Sequence, residues 1–294
     1  MRAAYPDISG YVDRAGVQIY YEVFENDAPS LLFIPPSPIT HSRIFKAQIP
    51  YLSRTHRIVT FDGRGAGHSS RVSGVDWHTR AENVADARAV LDATGTDEAI
   101  LVAHCHANWW AMELAAGNPD RVAGWVAIDP GLPYIGTPHR HWQEAGATWT
   151  EILDDPKGWQ LFNRHVITTR HRDWIEFFFR SQLVEPHSTK QFEDAVAWAL
   201  ESTGEILADS EEAQEIDPPT KGEFVASLES LDLPVLVVHG EADVCQHVDK
   251  GRDLAAITGG DLLVVAGGGH LTLARDPVRV NMAISRFLTE RMAA

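Results

Sequence analysis

Cysteine is scarce in this chain: two in 294 residues, Cys105 and Cys245. That excludes a disulfide-stapled scaffold and fits a reducing, cytoplasmic setting. Positive charge is also short, with 25 Lys and Arg against 41 Asp and Glu and a formal net charge of -16. Nucleic-acid binders need cations to neutralise phosphates, so that class is excluded, and docking on an anionic membrane is disfavoured. No apolar run approaches the roughly 20 residues of a membrane span. The opening stretch, Met1 to Pro6, has no apolar core for a leader peptide. Metal signatures are missing despite 14 histidines: there is no His-Glu-x-x-His and no Cys-x-x-Cys. His104 with His106, and His139 with His141, are pairs too small to hold an ion. No metal and no cofactor are expected; the expected partner is a small molecule.

What is present is a repeated pattern of short apolar runs and helical periods. Val17–Phe24, Leu31–Ile34, Arg57–Phe61, Ala99–Ala103, Val122–Ile128, Val235–Val238 and Leu262–Val265 read as strands. Thr79–Thr94, Ala107–Ala116 and Arg275–Leu288 read as helices between or after them. Continuous apolar strands alternating with helices predict an α/β fold with a mostly parallel sheet covered on both faces. The alternation breaks over about 132–231, which is rich in Trp and punctuated by Pro. The expectation is a core of 1–131 and 232–294 carrying a helical lid at 132–231. With hydrophobic residues at 44%, the chain can bury a large core.

The segment Ala103-His104-Cys105-His106-Ala107 falls between an apolar strand and a helix. A sharp strand-to-helix turn presents a nucleophile there, and small flanking residues are needed because the turn crowds the backbone. The two alanines meet that demand. A helix N-terminus also favours thiolate, so cysteine suits the position. Asp243 follows the Val235 strand. His270 lies 27 residues on, in a glycine-rich loop after the Leu262 strand. Both sit at the carboxyl ends of predicted parallel strands, where sites of open α/β sheets form. The order Cys105, Asp243, His270 is nucleophile, acid, base. Asp129, just after the Val122 strand, is the alternative acid.

In these features the chain resembles the α/β-hydrolase superfamily. The most specific match is Phe61-Asp62-Gly63-Arg64-Gly65-Ala66-Gly67-His68-Ser69, the Asp-x-Arg-Gly-x-Gly-x-Ser signature of the epoxide-hydrolase and haloalkane-dehalogenase-like branch. The resemblance implies the α/β-hydrolase fold with its lid inserted after the sixth strand. It implies that Cys105 attacks, His270 is the general base and Asp243 orients it. The sequence departs from the branch twice. That branch uses an Asp nucleophile, whose alkyl ester is hydrolysed at the carboxylate carbon. Cysteine would give an inert thioether, so epoxide and haloalkane hydrolysis are not expected. Cysteine nucleophiles occur in the same fold among dienelactone hydrolases. The second departure is Pro35-Pro36-Ser37-Pro38, where the branch has His-Gly-x-Pro. Proline has no N–H. The expected oxyanion donors are therefore the backbone N–H groups of Ser37 and His106.

These residues point to a hydrolase of an ester, lactone or thioester carbonyl, working through a thioester acyl-enzyme. Two alternatives stay open: C–C bond hydrolysis or acyl transfer on the same triad, and a non-hydrolytic binding protein on the hydrolase scaffold. His41, Trp109, Trp110 and Trp142 are expected to line the pocket. Its aromatic character implies an apolar or aromatic substrate. Cys245 reads as a small packing residue.

Overall fold

The computed structural model describes residues 4–186 and 189–291, so Met1 to Ala3, the start of the segment read for a leader, lie outside the described residues. Eight strands form one sheet: β1 Ile8–Arg14, β2 Val17–Phe24, β3 Ser30–Ile34, β4 Arg57–Phe61, β5 Ala99–His104, β6 Val122–Ile128, β7 Val235–Gly240 and β8 Asp261–Val265. Their order across the sheet is β1-β2-β4-β3-β5-β6-β7-β8. β1 and β2 pair antiparallel, as do β2 and β4; every other pairing is parallel.

The central strands are apolar throughout because both faces are covered. Phe33, Val102, Val126 and Val238 join the core on one face, with Ile284 and Phe287 of the helix Pro277–Arg291. Leu32, Leu101, Ala127 and Val237 face the other way, onto Val90 and Leu114 of the helices Arg80–Ala93 and Ala107–Gly117. This is the two-residue alternation of a strand, with a hydrophobic side chain at both phases.

The signature segment is a folding device. Asp62 accepts from the backbone N–H groups of Ser42 (3.1 Å) and His68 (2.8 Å). Arg64 forms a buried two-pronged pair with Asp86, both contacts at 2.7 Å. Gly67 has φ +53°, and a Cβ there would stand 2.1 Å from the Asp62 carboxylate, so no larger residue fits.

Between β6 and β7 the chain is helical, as expected. The helices Arg140–Ala147, Arg164–Thr169, His171–Gln182, Lys190–Ala199 and Gly204–Ala213 build the lid. Its interior is aromatic, with Trp142 against Phe162 (ring centroids 4.7 Å apart) and Trp174 stacked on Phe178 (5.0 Å). The helix Lys221–Glu229, capped by Thr220 and Glu223, buries Phe224 and Leu228 in the sheet-side core beside Trp109. Its apolar face belongs to the core layer. Among the described residues, no helix is long and apolar enough to cross a membrane.

Candidate active site

Cys105 occupies the turn between β5 and the helix Ala107–Gly117, with φ +55°. Left-handed backbone is costly for a non-glycine residue and persists only where surroundings impose it. Here they do. The Cys105 carbonyl accepts from Asn108 N (3.1 Å), Asn108 Nδ2 (2.8 Å) and Gly131 N (2.9 Å). The Cys105 N–H donates to the Ile128 carbonyl (3.1 Å). Asn108 is itself fixed, because its Oδ1 accepts from Trp125 Nε1 (3.1 Å). Ala103 and Ala107 are fully buried on either side of the turn. Gly131 presses so closely that a Cβ would come 2.9 Å from His106 N.

The sulfur faces a cavity of about 470 Å³ at the carboxyl end of the sheet, under the lid. His270 lines the same cavity. Its Nδ1 is 2.7 Å from Asp243 Oδ2, which leaves Nε2 for the Cys105 side. Asp243 is buried and saturated: its Oδ1 accepts from the Cys245 and Gln246 N–H groups (2.7 and 2.8 Å) and its Oδ2 also meets His239 Nε2 (3.2 Å). Burial opposes its charge, but the His270 charge and the His239 hydrogen bond outweigh burial and hold the carboxyl far below its usual range. A hydrogen bond from the Cys245 thiol holds Cys105 well below the usual thiol range; burial opposes this, and His270 and His106 add to it. Burial pulls His270 down, yet the negative charges of Asp243 and Cys105 raise it well above an ordinary histidine. Both directions favour negative charge on the Cys105 sulfur and positive charge on the His270 ring.

The lid holds His270 from behind. The His270 N–H donates to the Gln182 carbonyl (3.2 Å), and Gly269 N donates to Glu185 (2.7 Å). His104 Nε2 bonds the His270 carbonyl (3.0 Å), and burial lowers the His104 pKa to about 4, so it stays neutral.

Asp129 is not a partner of His270. Its carboxylate accepts from Gly240 N (3.0 Å), Thr272 N (3.1 Å) and Thr272 Oγ1 (2.8 Å), tying the end of β6 to β7 and to the short helix Thr272–Arg275. Burial first, then the charge of Asp243, raises it to about 7. The Ser37 oxyanion expectation also needs correction: its N–H closes a tight turn onto the Pro35 carbonyl (2.9 Å), and Ser37 does not line the cavity. The His106 N–H, by contrast, has no acceptor among the described residues. His41 is buried away from the cavity, 3.6 Å from Asp62 and 3.4 Å from Glu201, with its ring edge-on to Trp198. Trp109 and Trp142 line the cavity; Trp110 does not, and instead packs edge-on against His106 (5.2 Å).

Several cavity residues gave no sequence signal. Thr40 is buried and its hydroxyl has no partner among the described residues. Glu211, from the helix Gly204–Ala213, is raised by burial to about 7. Lys250 is lowered by burial and has no carboxylate within ion-pair distance among the described residues. Cys245 sits against Cys105 and His270, all three ligand atoms within 4.8 Å of one another. Asp129, His239 and Asp243 converge similarly. Both clusters join residues remote in sequence, so no short motif marks them.

The sequence profile described as the alpha/beta hydrolase family matches residues 31–283. Epoxide hydrolase 1 of Caenorhabditis elegans is 24% identical over 301 residues, covering 96% of this chain and 70% of the relative. Among solved structures, a bromoperoxidase from Bacillus anthracis superposes with a TM-score of 0.79 at 18% identity, covering 96% of this chain and 100% of the other. An enol-lactonase from Burkholderia xenovorans gives 0.73 at 18% identity, with the same coverage of both chains. The elbow, the lid inserted after the sixth strand and the family match lead to one conclusion: this chain belongs to the alpha/beta hydrolase family and is an enzyme of that class.

Proposed function

We propose that this enzyme hydrolyses an ester, lactone or thioester carbonyl with Cys105 as nucleophile, His270 as base and Asp243 as its orienting acid. The observation that carries the reading is Cys105 on a left-handed turn, its sulfur facing a cavity that also holds a His270 ring anchored by Asp243. The Cys105 thiolate adds to the carbonyl carbon. The tetrahedral oxyanion is held by the His106 N–H and by Thr40 Oγ1. Thr40 belongs to the same loop as Ser37 and, unlike the Ser37 amide, offers a donor not already spent. His270 gives its proton to the departing oxygen or sulfur as the thioester forms. It then takes a proton from water, which attacks the thioester and releases the acid.

The walls support a substrate with an apolar or aromatic body: Trp109, Trp142, Phe162, Phe178 and Phe179 surround the approach. Lys250 supports an anionic substituent at one end. The test is a panel of aryl esters, lactones and acyl thioesters with mass detection of an adduct on Cys105. Cys105→Ala should abolish turnover and adduct with the fold intact. Full residual activity would remove Cys105 from the mechanism.

A further inference from the structure

Cys245 forms no bond to the substrate in that acyl chemistry and acts there only through its hydrogen bond to Cys105, yet it shares the reactive wall. Its Sγ, the Cys105 Sγ and a ring nitrogen of His270 all lie within 4.8 Å of one another, and all three residues line the cavity. Two sulfurs and an imidazole form the donor set favoured by zinc-type ions. Around a tetrahedral ion such ligand atoms stand about 3.5–3.8 Å apart, from bond lengths of about 2.3 Å to sulfur and 2.0 Å to nitrogen. The observed span is at most about 1.3 Å longer than that.

The surroundings match a metal site in a second way, through a contact that the acyl chemistry also uses. A metal-bound imidazole ordinarily gives its other ring N–H to a carboxylate. His270 Nδ1 is so engaged with Asp243. The same carboxylate holds the Cys245 N–H at 2.7 Å, so one buried acid fixes both the imidazole and the second sulfur. The neighbouring cluster of Asp129, His239 and Asp243 lacks this openness. The Asp129 oxygens are already filled by Gly240 and Thr272, and those of Asp243 by four donors.

We propose that Cys105, Cys245 and His270 form a three-ligand site for a soft divalent cation of the zinc type, with the fourth position open to the cavity. Binding is a ligand exchange without redox change. The ion takes the place of one proton on His270 Nε2 and one on Cys245 Sγ, and Cys105 enters as thiolate. Two protons leave for each ion bound. The ion occupies nucleophile and base together, so it is an inhibitor of the acyl chemistry. The site itself rests on the donor geometry and not on turnover.

Titration of the reduced full chain with cobalt(II) chloride, in a non-thiol reductant, tests this. The expected result is tetrahedral visible absorption with a sulfur-to-cobalt charge-transfer band, saturating at a single ion per chain and displaced by zinc. Cys245→Ser and Cys245→Ala should each weaken zinc binding more than about 100-fold, since even supporting residues of such sites are worth 10–100-fold. Circular dichroism checks their fold. In the unaltered chain, zinc should protect Cys105 from iodoacetamide, and prior alkylation should erase the cobalt band. Octahedral cobalt without a sulfur band, absence of protection, or unchanged zinc affinity in a folded Cys245→Ala would overturn the site.

Discussion

Asp243 Oδ2 stands 2.7 Å from His270 Nδ1, in a pocket where both side chains are cut off from solvent. The charges of Asp243 and Cys105 raise His270 well above its ordinary range, against the pull of burial. Cys105 is held well below its own range by the Cys245 hydrogen bond and His270. The thiolate–imidazolium pair should therefore persist across neutrality. Acylation rate should be flat there, falling on the acid side as Cys105 gains a proton and on the alkaline side as His270 loses one. Asp243→Asn should lower kcat by about 10³–10⁴-fold and move the alkaline limb to lower pH. A pH–rate profile with an unmoved alkaline limb would contradict this.

Thr40 should matter to rate more than to binding. Thr40→Val keeps the volume but removes the unpartnered hydroxyl. The expected loss is about 10²-fold in kcat with KM little changed. Iodoacetamide labelling of Cys105 should proceed as before, because the thiolate is set elsewhere. Unaltered kcat would take Thr40 out of the oxyanion site.

Lys250 should set preference among substrates. Lys250→Met should raise KM for carboxylate-bearing esters by about tenfold or more, the scale of one hydrogen bond to a charged group. Matched neutral esters serve as the comparison. An equal change for both sets would assign Lys250 to packing.

Glu211 should leave a mark on stability. Burial lifts its pKa from an ordinary 4.5 to about 7. Below 4.5 the folded and unfolded chains both carry the proton. Between 4.5 and 7 only the folded chain keeps it, so the unfolded state binds fewer protons and stability falls as pH rises. Above about 7 the loss levels off. Glu211→Gln should flatten this slope, raising Tm most at pH 8 and little at pH 4. Thermal melts across that range that overlay the parent would exclude the effect.

The sheet was legible because its central strands are buried on both faces and so read as unbroken apolar runs. β1 was not, since Ile8 to Arg14 is an edge strand whose side chains are mostly solvent-facing. The positions of Cys105, Asp243 and His270 followed from strand ends, which topology forces to one edge. Ser37 misled because sequence reveals that an N–H exists but not that a two-residue turn has consumed it. His41 and Trp110 misled for a related reason: nearness along the chain says nothing of direction. Cys245, read as a small packing residue, is buried in the core and lies next to Cys105 in space, although 140 residues separate them along the chain.

The donors that fix the elbow all converge on the Cys105 carbonyl, and none of them touches the sulfur. The shape of the turn is thus decoupled from the atom it carries. A lineage with this scaffold can trade sulfur for oxygen at its tip by a single codon change, altering leaving-group chemistry without rebuilding the architecture beneath it.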